Sequence, residues 1–218
     1  MNPRTSKLIL AAALALGILP ARADETLLDY RDAAFLAGSP YYSAADSRMI
    51  KAALAAAPGN AAKRLADDFV LRGDAAGSFS TAGAQERVYL VQAEAAVAID
   101  PFPDAPPPLL VVMRGTDAAG IHVLPDGVQY QRLVAAADTD GDGLDEVFLE
   151  TSFMNMGQTS MSLDVAALLA DGGARIVESV TEVYYDGCDN PAGARERKAA
   201  TISLHDGIQV ERFEEGCP

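Results

Sequence analysis

Asp138-Thr139-Asp140-Gly141-Asp142-Gly143-Leu144-Asp145-Glu146-Val147-Phe148-Leu149 is the stretch whose reading decides the fold. Its first nine residues carry five acidic side chains, and its last three are apolar and strand-like. The chain leaves a tight acidic loop straight into a β-strand, so its surroundings are read as sheet. Asp138, Asp140 and Asp142 alternate, which lets their carboxylates converge on one centre. Gly141 and Gly143 let the backbone turn tightly around that centre. The Leu144 carbonyl offers a neutral oxygen and Glu146 a further carboxylate, while Asp145 is expected to point outward. Like charges crowded this closely repel, and a hard divalent cation neutralises them. Ca²⁺, with water completing its oxygen shell, is the expected occupant. The alternative is a solvated acidic turn that holds no ion.

Outward from this loop, strand signals dominate from Gly77 onward. Arg87–Val91, Leu109–Met113, Val147–Leu149 and Ile176–Val177 are short β-branched or aromatic runs bounded by turn residues. Asp126-Gly127 and Asp206-Gly207 each sit between two such runs and read as hairpin tips. Pro101 to Pro108 reads as a stiff loop. Leu124–Leu133 recurs as Leu204–Phe213, and a weaker echo pairs Glu86–Leu90 with Asp145–Leu149. Both echoes run in the same order. Residues 77–136 and 137–214 therefore read as two copies of one β unit, the second lengthened around Thr181–Lys198. Chance likeness between two Asp-Gly turns is the competing reading.

Residues 24–75 are alanine-rich and helical in pattern. Ser43-Ala44-Ala45-Asp46 is a capping box. Ile50, Leu54 and Ala57 follow at helical spacing until Pro58-Gly59-Asn60 ends the run. A second helix is expected from Ala61 to about Val70.

The extreme N-terminus reads as a secretory signal. Arg4 and Lys7 precede an uncharged apolar run from Leu8 to Leu19, and Ala21-Arg22-Ala23 suits cleavage before Asp24. That run is shorter than the roughly 20 residues a bilayer span needs, though a retained N-terminal anchor is the alternative. An exported protein, periplasmic or secreted, is expected, with no membrane span. Removing residues 1–23 takes away Arg4, Lys7 and Arg22 and no acid. That leaves 14 bases against 31 acids, a net charge of −17. Such a surface argues against nucleic acid and anionic membranes, and favours cations and basic partners. Cys188 and Cys217 are the only cysteines, and an oxidising compartment makes them a disulfide pair.

The acidic loop resembles the calcium loop of FG-GAP and VCBS repeats, the β-propeller-type blades of integrin α-chains and many bacterial secreted proteins. Their pattern, Asp-x-Asp-x-Asp-Gly-x-x-acid running into a strand, reads here as Asp138, Asp140, Asp142, Gly143 and Glu146. Glu at the ninth position departs mildly from the more usual Asp. An EF-hand fits less well: its twelfth position falls on Leu149, with Glu150 one place late. The resemblance implies a metal loop in β-sheet architecture. The first unit's counterpart, Phe79 to Gln85, has no acids, so at most one intact site is implied.

Three other groups carry candidate chemistry. Met154, Met156 and Met161 suit either Cu(I) or core filling. His122 and His205 are the only histidines, so a Ser-His-acid hydrolase must use one of them. Asp186, Asp189 and Asn190 flank Cys188 and read as turn formers or a second cation site. The whole reading is an α+β protein, with a short helical N-terminal region (24–75) packed on a larger antiparallel β region (76–218) of two blade-like units. The function expected is a non-catalytic binding or structural module for a protein or extracellular ligand. A secreted hydrolase and a periplasmic metal-handling protein are the alternatives.

Overall fold

The computed structural model describes residues 25–94, 105–193 and 195–217. The signal segment and the first half of the proline loop lie outside these residues. Eleven strands and three short helices are described, and every strand pairing is antiparallel.

Two sheets organise the chain. The smaller is a four-stranded meander of β2 (Val70–Gly77), β3 (Glu86–Gln92), β4 (Leu109–Arg114) and β5 (Asp117–Val123). The larger continues from β6 (Arg132–Ala137) through β7 (Glu146–Asn155), β8 (Gln158–Leu168) and β9 (Ala174–Asp186) to β10 (Glu196–Leu204). Beyond β10 stand β1 (Glu25–Asp29) and β11 (Ile208–Gly216), both paired to it. The ends of the path, β1 and β6, come back into contact, so this sheet is nearly a barrel.

Three apolar clusters follow from the layers. Leu28, Phe148, Leu163, Val165, Val183 and Ile202 gather inside the curled sheet. Val88, Leu90, Leu110 and Val112 of the small sheet meet Val147, Leu149 and Ala166 of the large one. The opposite face of the small sheet, Tyr89, Val91, Leu109 and Val111, clusters with Ile50, Leu54 and Leu65. β3 and β4 are thus buried on both faces, which is why they read as continuous apolar runs rather than alternating ones.

The helices are α1 (Ala33–Ala37), α2 (Ala44–Ala56) and α3 (Asn60–Leu65). α2 opens on the expected capping box: Ser43 accepts from the Asp46 amide and Asp46 from the Ser43 amide. Yet residues 24–75 are not helical throughout. β1 opens them and β2 closes them. Leu27 and Leu28 are drawn into the large sheet by pairing with β10, and α3 stops at Leu65 rather than reaching Val70. β2 looked like no strand because of its glycines and alanines. Gly73 explains one of them: it lies against the Leu133 backbone, where a side chain would collide.

The Asp-Gly expectation holds at one place and fails at the other. Asp206-Gly207 joins β10 to β11 as a true hairpin, with both residues at positive φ. Asp126-Gly127 does not join paired strands. It sits in the crossover from β5 to β6, which lie in different sheets. Leu124 and Tyr130 are buried on either side of it. Gln92 holds Tyr130 in a two-way amide pair, donating from Nε2 to its carbonyl at 2.9 Å and accepting its N–H at 3.2 Å.

One buried ion pair ties α1 and the residue after it to the large sheet. Arg132 of β6 donates to both Glu150 oxygens, from Nε at 3.0 Å and Nη2 at 3.1 Å. Its Nη1 donates to the carbonyls of Phe35 and Gly38, and its guanidinium lies 4.5 Å over the Phe35 ring. Tyr30 is fully buried beside the pair. Burial, and then the Glu150 charge, push its pKa up.

Candidate functional site: the acidic loop and its partner loop

The acidic loop joins β6 to β7, the first two strands of a four-stranded run. Asp138, Asp140 and Glu146 each bring a carboxylate oxygen within 4.8 Å of the others. The loop is shaped by its own carboxylates. Asp138 accepts from the Gly141 amide at 2.7 Å and the Gly143 amide at 3.0 Å. Asp140 accepts from Asp142 N–H, and Asp142 from Leu144 N–H. Gly141 and Gly143 sit at φ +81° and +87°, conformations that favour glycine. Glu146 is buried, and its Oε2 accepts from the Thr139 amide at 2.9 Å and the Thr139 hydroxyl at 2.6 Å.

Of the expected ligands, the structure therefore brings three together. Asp142 lies on the same loop but outside that group, with an oxygen committed to the Leu144 amide. Asp145 departs from its expected outward orientation. It accepts from Ser78 N–H at 2.6 Å, and its own N–H donates to the Ser78 carbonyl at 2.8 Å. This two-way bridge joins the acidic loop to the loop between β2 and β3. The pair is close enough that a side chain on Gly77 would strike the Asp145 carboxylate.

That second loop is built on the same plan. It also joins the first two strands of a four-stranded meander. Glu86 opens β3 as Glu146 opens β7, and each accepts from the amide seven residues earlier, Phe79 and Thr139. Their charge environments differ. Glu86 Oε1 takes Arg114 Nη2 at 2.8 Å and Ser80 Oγ at 2.5 Å. Burial alone would raise the Glu86 pKa, but the bonds from Ser80, Phe79 and Arg114 outweigh it, and the net shift is downward. No salt bridge among the described residues reaches Asp138, Asp140, Asp142 or Glu146. One loop carries its own cation in Arg114, and the other, more acidic loop does not. A cleft of about 360 Å³ adjoins the acidic loop, lined by Asp140, Glu146, Arg175, Glu178 and Ile208 among others.

The weaker sequence echo sets Glu86 against Asp145, whereas the matching hydrogen bonds set Glu86 against Glu146, one residue later. The stronger echo marks no equivalent places, since Leu124–Leu133 is a crossover and Leu204–Phe213 a hairpin. The two loops that share this bonding open the four-strand runs β2–β5 and β6–β9, which do not coincide with the expected units 77–136 and 137–214. The useful signal was an acid opening an apolar strand after a small-residue loop.

Cys188 and Cys217 are bonded, with sulfurs 2.11 Å apart. Asp186 accepts from the Cys188 amide and from Arg197. Asn190 accepts from the Ala192 and Gly193 amides and so closes a turn. Met161 packs against the barrel interior, whereas Met154 and Met156 stand at the exposed β7–β8 tip. The three thioethers therefore do not share one environment. His205 lies at the β10–β11 tip. No helix among the described residues is long and apolar enough to cross a membrane.

His122 of β5 is buried, and its Nδ1–H donates to the Gly173 carbonyl at 3.2 Å. Burial holds its pKa below the usual value of 6.5, against the opposing pull of the Gly173 and Leu169 carbonyls and Asp171. The sign follows. Below pH 6.5 the unfolded chain binds this proton more readily than the folded one, so stability falls as pH falls toward the folded pKa. Denaturant midpoints at pH 7.5 and 5.5 check this. His122→Asn should lose less stability over that interval than the wild type, and an equal loss counts against the assignment.

Compared with known proteins, the chain matches no family model, no curated protein and no solved structure.

Proposed function

We propose that this chain is an exported, non-catalytic binding or structural module in which one Ca²⁺, held by the Asp138–Glu146 loop, fixes the junction between two blade-like β units. The observation that carries the reading is the convergence of Asp138, Asp140 and Glu146 within 4.8 Å. The donor set is all hard oxygen, which suits Ca²⁺ and its six to eight oxygen ligands. Glu146 uses one oxygen on Thr139, which leaves Oε1 for an ion. Water supplies the rest of the shell. The contrast with Glu86 adds support, because Arg114 already neutralises the equivalent carboxylate there.

The role follows from position. Through Asp145 the acidic loop is hydrogen-bonded to the β2–β3 loop. An ion that relieves the repulsion therefore stiffens both loops and the cleft beside them.

Thermal melts of residues 24–218 with Ca²⁺ and with EDTA test the reading. At a hundredfold excess over Kd, binding stabilises by about 2.7 kcal/mol, which raises Tm by about 5–10 °C in a chain of this size. Asp138→Asn combined with Asp140→Asn should abolish the rise. Identical melts with Ca²⁺ and EDTA would overturn the proposal.

A further inference from the structure

The β7–β8 hairpin carries a sheet edge that nothing among the described residues covers. β6 pairs with β7 only from Glu146 to Glu150, whereas β8 accompanies β7 to Asn155. Thr151–Asn155 therefore has a neighbour on one side alone. Asn155 and Gln158 close the two-residue turn Met156-Gly157, both at positive φ. Alternation along an antiparallel pair then turns the N–H and C=O of Ser152 and Met154 away from β8. Glu150 shows the same parity, since its carbonyl accepts from Gln131 on the β6 side at 2.7 Å.

The edge lacks the usual protection. Exposed edges are blunted by charge, proline or a bulge, yet no charged residue and no proline occurs from Thr151 to Leu163. Phe153 is 60 % exposed, Met154 74 % and Met156 69 %. The hairpin is also held in place. Gly157 packs on the Asp189 backbone, and Asn190 donates to Gln158 at 3.2 Å, beside the Cys188–Cys217 bond.

We infer that the Thr151–Asn155 edge pairs antiparallel with the same strand of a second copy, joining two large sheets into one. Electrostatics favours this occupant. Two chains carrying 31 acids each repel over most of their surface, and the uncharged hairpin is where they approach at least cost. A basic partner finds no acid on it. The register is fixed by the free groups: Ser152 faces Met154 of the other copy, twice over, and the pairing closes four hydrogen bonds. Phe153 then faces its own symmetry mate across the twofold, in the closely spaced kind of pair. A bilayer is the poorer occupant, because lipid cannot satisfy the Ser152 and Met154 backbone groups.

Sedimentation equilibrium of residues 24–218 tests this. So short an edge gives a weak dimer, with Kd about micromolar or above. Met154→Pro removes an outward N–H that no internal bond uses, and Phe153→Lys places like charges opposite each other. Each should raise Kd at least tenfold, with melting at low concentration unchanged. A wild type that stays monomeric to about 1 mM, or a dimer that neither variant weakens, overturns the inference. Monomers that float with phosphatidylcholine vesicles overturn it too, by placing the tip in a bilayer.

Discussion

Replacing Glu150 by alanine is expected to cost about 3–5 kcal/mol of unfolding free energy, the usual loss when one partner of a buried ion pair is removed. Glu150 is 1 % exposed and bonds Arg132 through both oxygens. Without it, Arg132 keeps only the Phe35 and Gly38 carbonyls and the Phe35 ring. Its charge is then stranded beneath α1. In a domain of this size the loss lowers Tm by about 6–20 °C. The same physics makes a second expectation. Arg132→Met with Glu150→Leu removes both charges and should recover most of the loss, because desolvating the pair offsets much of its attraction. Denaturant unfolding of the wild type and both variants checks this. A loss under about 1 kcal/mol for Glu150→Ala would mean that water reaches the pair.

Reducing the disulfide comes next in size. Cys188 and Cys217 are separated by 29 residues, and the loop between them contains all of β10 and β11. In the chain-entropy model, closing a loop of that length stabilises by roughly 3–4 kcal/mol. β10 is central to the large sheet, pairing with β1, β9 and β11, so the constraint acts on a strand that cannot fray independently. Cys188→Ser with Cys217→Ser should therefore lower the denaturant midpoint of the whole transition. A lost C-terminal tail with an unchanged midpoint would show that the bond only tethers the end of the chain.

What could be read from the sequence was whatever local chemistry decides. The capping box at Ser43–Asp46 is a contact between residues three apart, and it is where expected. The runs at 87–91 and 109–113 are strands because burial on both faces leaves their composition little choice. Sequence failed where a distant partner decides. Glu25–Asp29 is a strand only because β10 lies beside it. Val70–Gly77 hides its strand behind glycines, one of which exists to let Leu133 approach. The Asp126-Gly127 dipeptide specifies a turn but not what the flanking segments pair with, and so it imitated a hairpin. At the acidic loop, sequence pointed to five candidate oxygen donors, of which the structure brings Asp138, Asp140 and Glu146 together. Sequence could not show that Asp145 turns to Ser78, nor that Arg114 holds the equivalent place in the other loop.

The Asp138–Glu146 loop is proposed to take a single calcium ion. Isothermal titration of Ca²⁺ into metal-free residues 24–218 tests it most directly. One saturable site per chain is expected, silent in the Asp138→Asn, Asp140→Asn variant. No saturable binding up to about 10 mM Ca²⁺, beyond the weakest extracellular calcium modules, or binding that survives the double substitution, would contradict it.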